Sequence, residues 1–162
     1  MKTIPGLRAL CIFLIVLGTA SCGFTPVYKA GSKTGAALSE VFVADPGNDK
    51  NRYLFVVEME ERVGRNMNGN LLLDYNIMIS EEAIGNFPTI RFHMVGKVDY
   101  KVISIKDDRL LFSGSQDGFV AFGSGEPLRN IVTEEARERL VSILADQVTA
   151  ELIAHFSSPQ FE

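Results

Sequence analysis

The sequence predicts an α+β domain in which two helices pack on one face of a four-stranded, mostly antiparallel sheet. Three observations predict it. Apolar residues recur at intervals of three and four across residues 51–67 and again across 127–156, the spacing of amphipathic helices. Between these runs, three stretches alternate apolar and polar residues, the pattern of strands with one covered face and one wet face. The order strand, helix, three strands, helix then gives a helical layer over a sheet.

The chain begins with a segment of another kind. Lys2 and Arg8 make a short positive start, an apolar run spans Ala9–Leu17 with Cys11 inside it, and Gly18-Thr19-Ala20-Ser21 leads to Cys22. A positive start, a short apolar stretch and a small-residue exit are the parts of a secretory signal peptide. The apolar run is about half of the roughly 20 residues that a membrane-crossing helix needs. Leu17–Cys22 resembles a lipobox, so residues 1–21 are expected to be removed and Cys22 to carry lipid. Cys11 leaves with the leader and Cys22 is acylated; with only two cysteines in the sequence, the mature domain has no thiol for catalysis, a disulfide or a metal. One acyl chain holds a protein only marginally, and each further buried methylene adds about 0.8 kcal/mol. The three chains expected on such an N-terminus make the tether effectively permanent. Gly23 stands where an aspartate would resemble an inner-membrane retention signal, which favours the outer membrane.

From Cys22 onward 141 residues remain, the length of one ordinary domain. Losing Lys2 and Arg8 leaves 14 basic residues of the original 16 against 20 acidic ones, a net charge of −6. That balance excludes general nucleic-acid binding, which needs a basic excess to neutralise phosphates. Residues 22–36 form the lipidated N-terminus and a Gly-, Ser- and Lys-containing tether, and residues 37–158 form the single domain.

Within the domain, Ala37–Val43 is expected as the first strand, followed by the turn Asp45-Pro46-Gly47-Asn48. The first helix covers about Asn51–Met67, with Tyr53, Val56, Val57 or Met59, Val63 and Met67 on its apolar stripe and a Glu58–Arg62 pair on its wet face. The second strand, Leu71–Ser80, sets Leu71, Leu73, Tyr75, Ile77 and Ile79 against Asp74, Asn76 and Ser80. The third, Thr89–Ile105, sets Ile90, Phe92, Met94, Val98, Tyr100 and Val102 against Arg91, His93, Lys97, Asp99 and Lys101. Lys106-Asp107-Asp108 is a hairpin signal. The fourth strand, Arg109–Phe122, sets Leu110, Phe112, Val120 and Phe122 against Ser113, Ser115 and Asp117. The final helix runs from Pro127, suited to a first helical turn, to Phe156. Its stripe is Leu128, Ile131, Val132, Ala136, Leu140, Ile143, Leu144, Val148, Leu152 and Phe156.

Chemistry is sparse. Of the two histidines, His93 falls on a polar strand face and His155 near the end of the last helix, and both read as solvated. No paired nucleophile and base, no metal-binding spacing and no phosphate-cradling loop occurs; Gly123-Ser124-Gly125 is a turn. Glu134, Glu135, Glu138, Arg137 and Arg139 read as a salted helix surface. No catalytic residue, metal or cofactor is expected, and the chain is read as a non-enzyme. Arg91, Lys97 and Lys101 share one side of a strand, with Lys106 and Arg109 at the turn beyond. Such residues serve solvation and edge protection, or else form a positive strip that meets phosphate or carboxylate groups of a glycolipid. Asp99 and Asp107 dilute the strip, and both readings stay open.

The run Cys22-Gly23-Phe24-Thr25-Pro26-Val27-Tyr28 resembles the start of the lipopolysaccharide-assembly lipoprotein family LptE, in which Cys-Gly-Phe-x-Pro-aliphatic-Tyr is typical. The resemblance continues in order through Glu61-Arg62 and Arg65-Asn66, Leu110–Ser115, Ala136–Leu140 and Leu144–Val148; residues 44–51 and 81–89 depart from it. The resemblance implies an outer-membrane lipoprotein that plugs the lumen of the LptD β-barrel, helps that barrel to assemble and assists lipopolysaccharide delivery, with Arg91, Lys97 and Lys101 as candidate lipopolysaccharide contacts. Two other readings stand beside it: a lipid-anchored accessory subunit of another envelope lipid transporter, and a tethered periplasmic enzyme.

Overall fold

The computed structural model describes residues 32–85, 91–123 and 129–158. The expected leader, Cys22 and most of the tether lie outside them, as do Ile90, Ser124-Gly125, Pro127 and Leu128. The elements are α1 (Lys33–Ser39), β1 (Val41–Val43), α2 (Lys50–Val63), β2 (Leu71–Ile84), β3 (Arg91–Ser104), β4 (Arg109–Phe122) and α3 (Arg129–Phe156). The strands form one sheet in the order β1-β2-β3-β4. It is a mixed sheet: β1 runs parallel to β2, while β2–β3 and β3–β4 are antiparallel. A parallel pair needs a crossover, and α2 supplies it.

Two sequence expectations are corrected at the start of the domain. Residues 33–36, expected as tether, and 37–39, expected as strand, are helical, so the described residues hold three helices and not two. The Ser32 hydroxyl accepts a hydrogen bond from the Gly35 amide at 3.0 Å, capping the first turn. A helix of seven residues is too short for its apolar period to register in sequence. Leu38 is buried, and the Thr34 and Ser157 hydroxyls lie 3.1 Å apart, which pins α1 to the C-terminal end of α3.

The Asp49 carboxylate caps α2 by accepting from the Arg52 amide at 2.8 Å. The helix stops four residues before the expected Met67, because Gly64 takes a φ of +90° that a side chain would strain. Its buried residues are Phe55 and Met59, while Tyr53 and Met67 are exposed, which shifts the stripe from the expected one.

The register sorts the sheet into two faces. Leu73 pairs with Val102, Tyr75 with Tyr100 and Ile77 with Val98, all buried; Met94 pairs with Val120 on the same face. Phe55 of α2 packs on Tyr75 with ring centroids 4.8 Å apart. Gly96 and Gly118 pair in the same row, and Leu140 and Leu144 of α3 descend onto them. In β4 the expected inward Leu110 is exposed, because Val102 pairs with Phe112 but Ile103 with Leu110, a bulge at Leu111 that reverses the parity.

Along α3, Ala136, Leu140, Leu144, Val148 and Leu152 are buried at the expected spacing, and Val141, Ala145 and Thr149 add a second buried stripe. The Thr149 hydroxyl donates to the Met59 sulfur at 3.8 Å, so this stripe faces α2. Ile131, expected on the apolar stripe, is exposed. Each fully buried leucine contributes roughly 1.5–3 kcal/mol, so α3 is held mainly by this row. Polar contacts then fix the two helices against each other. Arg62 donates to Glu58 (2.7 Å), Asp146 (2.7 Å) and the Ser142 hydroxyl (2.9 Å). The Glu58–Arg62 pair thus reaches the α2–α3 seam as well as solvent. Lys50 pairs with Glu134 further along it. Among the described residues, no helix is long and apolar enough to cross a membrane.

Candidate functional site

The face of the sheet opposite the helices is the candidate site, because it carries the three basic residues singled out above. Arg91, Lys97 and Lys101 all stand on this outer face of β3 and are all exposed. Ten residues of extended chain separate the first from the last, roughly 33 Å.

Their neighbours decide what the strip is. Lys101 stands between Asp74 of β2 and Ser113 of β4, and Lys97 between Met78 and Asp117. Lys97 Nζ also lies 3.0 Å from the Asp99 carboxylate. A hydrogen bond from Ser115, together with the Lys97 ammonium, holds Asp99 below the ordinary carboxylate range. Arg91 pairs across the ladder with Ile84 at the far end. Lys97 and Lys101 are therefore interleaved with acids in neighbouring strands and Arg91 stands apart from them, so single ligand anions would meet the three cations one at a time. At the hairpin beyond, Arg109 lies 3.3 Å from Asp107. A Ser104 hydrogen bond, with the Arg109 charge added, lowers the Asp107 pKa.

Between the rows, Asp74, Asn76, Asp99, Lys101 and Ser113 border an open depression of about 400 Å³ over the backbone at Gly114. Its lining offers hydrogen-bond donors and acceptors of both signs and no nucleophile–base pair. The outer face also has an apolar part, which was not among the candidate site residues. Met78 and Phe119 are 54% and 62% exposed, and Val95 pairs directly with Phe119. His93 stacks on Phe119 with centroids 5.1 Å apart, so it is partly covered by an aromatic ring and not simply solvated. The signal was present in sequence, since Phe119 shares the parity of Ser113, Ser115 and Asp117. His155 likewise stacks on Phe112, at 4.1 Å, beside Glu151. Among the described residues, no three His, Cys, Asp or Glu side chains are grouped to hold a metal.

The charged surface of α3 is partly used for packing. Glu134 takes Lys50 and lies 3.7 Å from Arg137, which donates to Asn51 at 3.0 Å. The Lys50 hydrogen bond lowers the Glu134 pKa.

No family model matches this sequence, and no curated protein is similar to it. Solved structures do share its fold. A candidate lipoprotein from Caulobacter crescentus CB15 superposes with a TM-score of 0.64 at 12% identity, over 77% of this chain and 96% of that one. A minor lipoprotein from Acinetobacter baumannii gives a TM-score of 0.56 at 10% identity, over 70% and 91%. At these identities the likeness is one of fold, and the fold is one found among bacterial lipoproteins.

Proposed function

We propose that this chain is a lipid-anchored outer-membrane lipoprotein of the LptE type, which plugs and helps to assemble an LptD-type β-barrel and assists lipopolysaccharide delivery to the cell surface. The observation that carries the reading is the Cys22–Tyr28 run standing in front of a domain with a lipoprotein fold. Cys22 is the lipid attachment point, and the protein faces the periplasm. The physical character of the domain supports a plug. A barrel lumen is polar and wet, and the outer sheet face offers Asp74, Asn76, Lys97, Lys101, Ser113 and Asp117 beside the exposed Met78, Ile84, Leu110 and Phe119. The two helices are fixed to each other by Arg62 as well as by apolar packing, which suits a rigid insert with no chemistry to perform.

Arg91, Lys97 and Lys101 are the proposed contacts to the anionic groups of lipopolysaccharide, where ammonium and guanidinium groups form strong charge-assisted bonds. Depletion of the protein from cells is expected to leave the barrel misassembled and to lower lipopolysaccharide at the surface; unchanged assembly and unchanged surface levels would contradict the reading. Charge reversal at Arg91, Lys97 and Lys101 together is expected to weaken lipopolysaccharide binding by the purified protein at least about tenfold, near 1.4 kcal/mol. Unchanged binding would remove these residues from the proposal and leave the plug role standing.

A further inference from the structure

The chain ahead of the domain joins it at one end, and four described segments meet there. α1 begins after Ser32, beside the C-terminal end of α3, where the Thr34 and Ser157 hydroxyls lie 3.1 Å apart. It ends against the loop before β2: the Asn66 side chain donates to the Ser39 carbonyl at 2.6 Å, and the Leu71 amide to the Glu40 carbonyl at 3.0 Å. The β3–β4 hairpin comes next, its Ile105 amide donating to the Asn70 carbonyl at 2.9 Å. Phe112 of β4 then returns to α3, meeting Phe156 in an edge contact with ring centroids 5.7 Å apart. The seven residues of α1 are only about 10 Å long, so Ser32 lies close to the hairpin.

This end carries an apolar rim. Met67 of the loop and Ile105 and Leu110 of the hairpin are 72%, 52% and 54% exposed. Between Ile105 and Leu110 the tip sets Lys106 and Arg109 against Asp107 and Asp108, with Arg109 3.3 Å from Asp107, so its charges cancel. A neutral tip is not repelled by anionic headgroups. Its aliphatic side chains suit the boundary between headgroups and acyl chains, where surface-seated elements sit ~5–10 Å deep.

Reach decides between orientations. Ten residues lead from Cys22 to Ser32, and they span at most ~36 Å. The 28 residues of α3 alone are about 42 Å long. A domain standing on the Arg129 end of α3 would therefore hold Ser32 beyond the reach of lipid on Cys22. The rim end faces the membrane, or else the domain lies on its side and presents Phe119 of the sheet or Tyr53 of α2. Contacts too weak to hold a free protein on a bilayer suffice at the rim, because a short tether keeps it there at an effective concentration on the order of millimolar.

We infer that Met67, Ile105 and Leu110 form a membrane-seating rim, which rests on the phospholipid leaflet that holds the Cys22 lipid and stands the domain upright on it. The inference rests on the lipid attachment proposed at Cys22 and not on the barrel.

The test uses the full mature chain, acylated in cells and reconstituted in vesicles of phosphatidylethanolamine and phosphatidylglycerol that contain a shallow spin-labelled lipid as quencher. With Cys22 acylated, one introduced cysteine takes one fluorophore. A probe at Lys106→Cys is expected to be quenched at least about twofold, and probes at Phe119→Cys and Tyr53→Cys to keep their emission. Adding Ile105→Ser and Leu110→Ser, both at exposed positions, is expected to abolish the quenching at position 106 with the thermal midpoint retained; if that combination unfolds, the three single probes decide the matter. No quenching at the hairpin, equal quenching at all three positions, or quenching unchanged by the serine pair would overturn the inference. So would energy transfer between hairpin probes that rises with protein density, the sign of a second copy covering the rim. A mature chain whose mass shows no acyl groups would overturn the attachment at Cys22 and the inference with it; an acylated chain with an unquenched hairpin overturns the inference alone.

Discussion

Gly114 sits directly across from Tyr100, and a β-carbon there would fall 2.5 Å from the phenol oxygen and 2.6 Å from the ring. The ring is buried and would have to shift, so Gly114→Ala is expected to cost about 1–3 kcal/mol. Gly118, four residues along the same strand, would place its β-carbon 3.6 Å from Leu140, an ordinary contact. Gly118→Ala is therefore expected to be neutral or to stabilise by up to ~1 kcal/mol through reduced chain entropy. Chemical denaturation of the two variants checks the contrast, and equal losses would show that Tyr100 does not fill that space. Tyr100 and Tyr75 also report on pH. Burial is the first cause that pushes both phenols up to about 12, with Glu151 adding to it at Tyr100. Their folded pKa lies above the ordinary value of 10, so the neutral phenol is the form the fold holds. Their contribution is complete below pH 10 and is lost as pH rises from 10 to about 12. Phenolate absorbance should show two of the four tyrosines ionising late, together with falling stability. Ionisation of all four near pH 10 would contradict this burial.

At the scale of elements, Arg62 is the polar link between α2 and α3. Burial opposes its charge, but hydrogen bonds to Asp146 and Glu58 outweigh that cost and raise its pKa, so it stays cationic throughout. Arg62→Met keeps the apolar stem and removes the bonds, and is expected to cost about 1–3 kcal/mol. Asp146→Asn, at a carboxylate 69% exposed, is expected to cost under ~1 kcal/mol. Thermal unfolding distinguishes them, and equal losses would mean that the seam is held by packing alone. The elements differ in how far they were legible. The long strands and α3 were readable because fourteen to twenty-eight residues repeat one period many times. The seven residues of α1 hold fewer than two turns, and their capping by Ser32 says more than their pattern. The parallel β1–β2 pair was not legible at all. Three residues of strand fix no direction, and only the crossover of α2 decides it.

Over the whole molecule, the layer order was legible, and the outer face was half legible. Alternation placed Arg91, Lys97 and Lys101 on one side, but the ladder register that sets Lys101 against Asp74 and Lys97 against Asp117 depends on two hairpins whose alignment no single strand encodes. The bulge at Leu111 shows how one extra residue moves Leu110 to the other face. What emerges is a two-layer domain about 42 Å along α3, with its first described helix fastened to the C-terminal end of that helix. The role proposed for such a domain is that of an insert in a wet barrel. The measurement that tests this most directly is affinity isolation of the mature protein from outer membranes in mild detergent, followed by the mass and composition of what comes with it. A stable one-to-one complex with a large β-barrel protein is expected; isolation of the protein alone, or with an inner-membrane transporter and no barrel, would contradict the plug role.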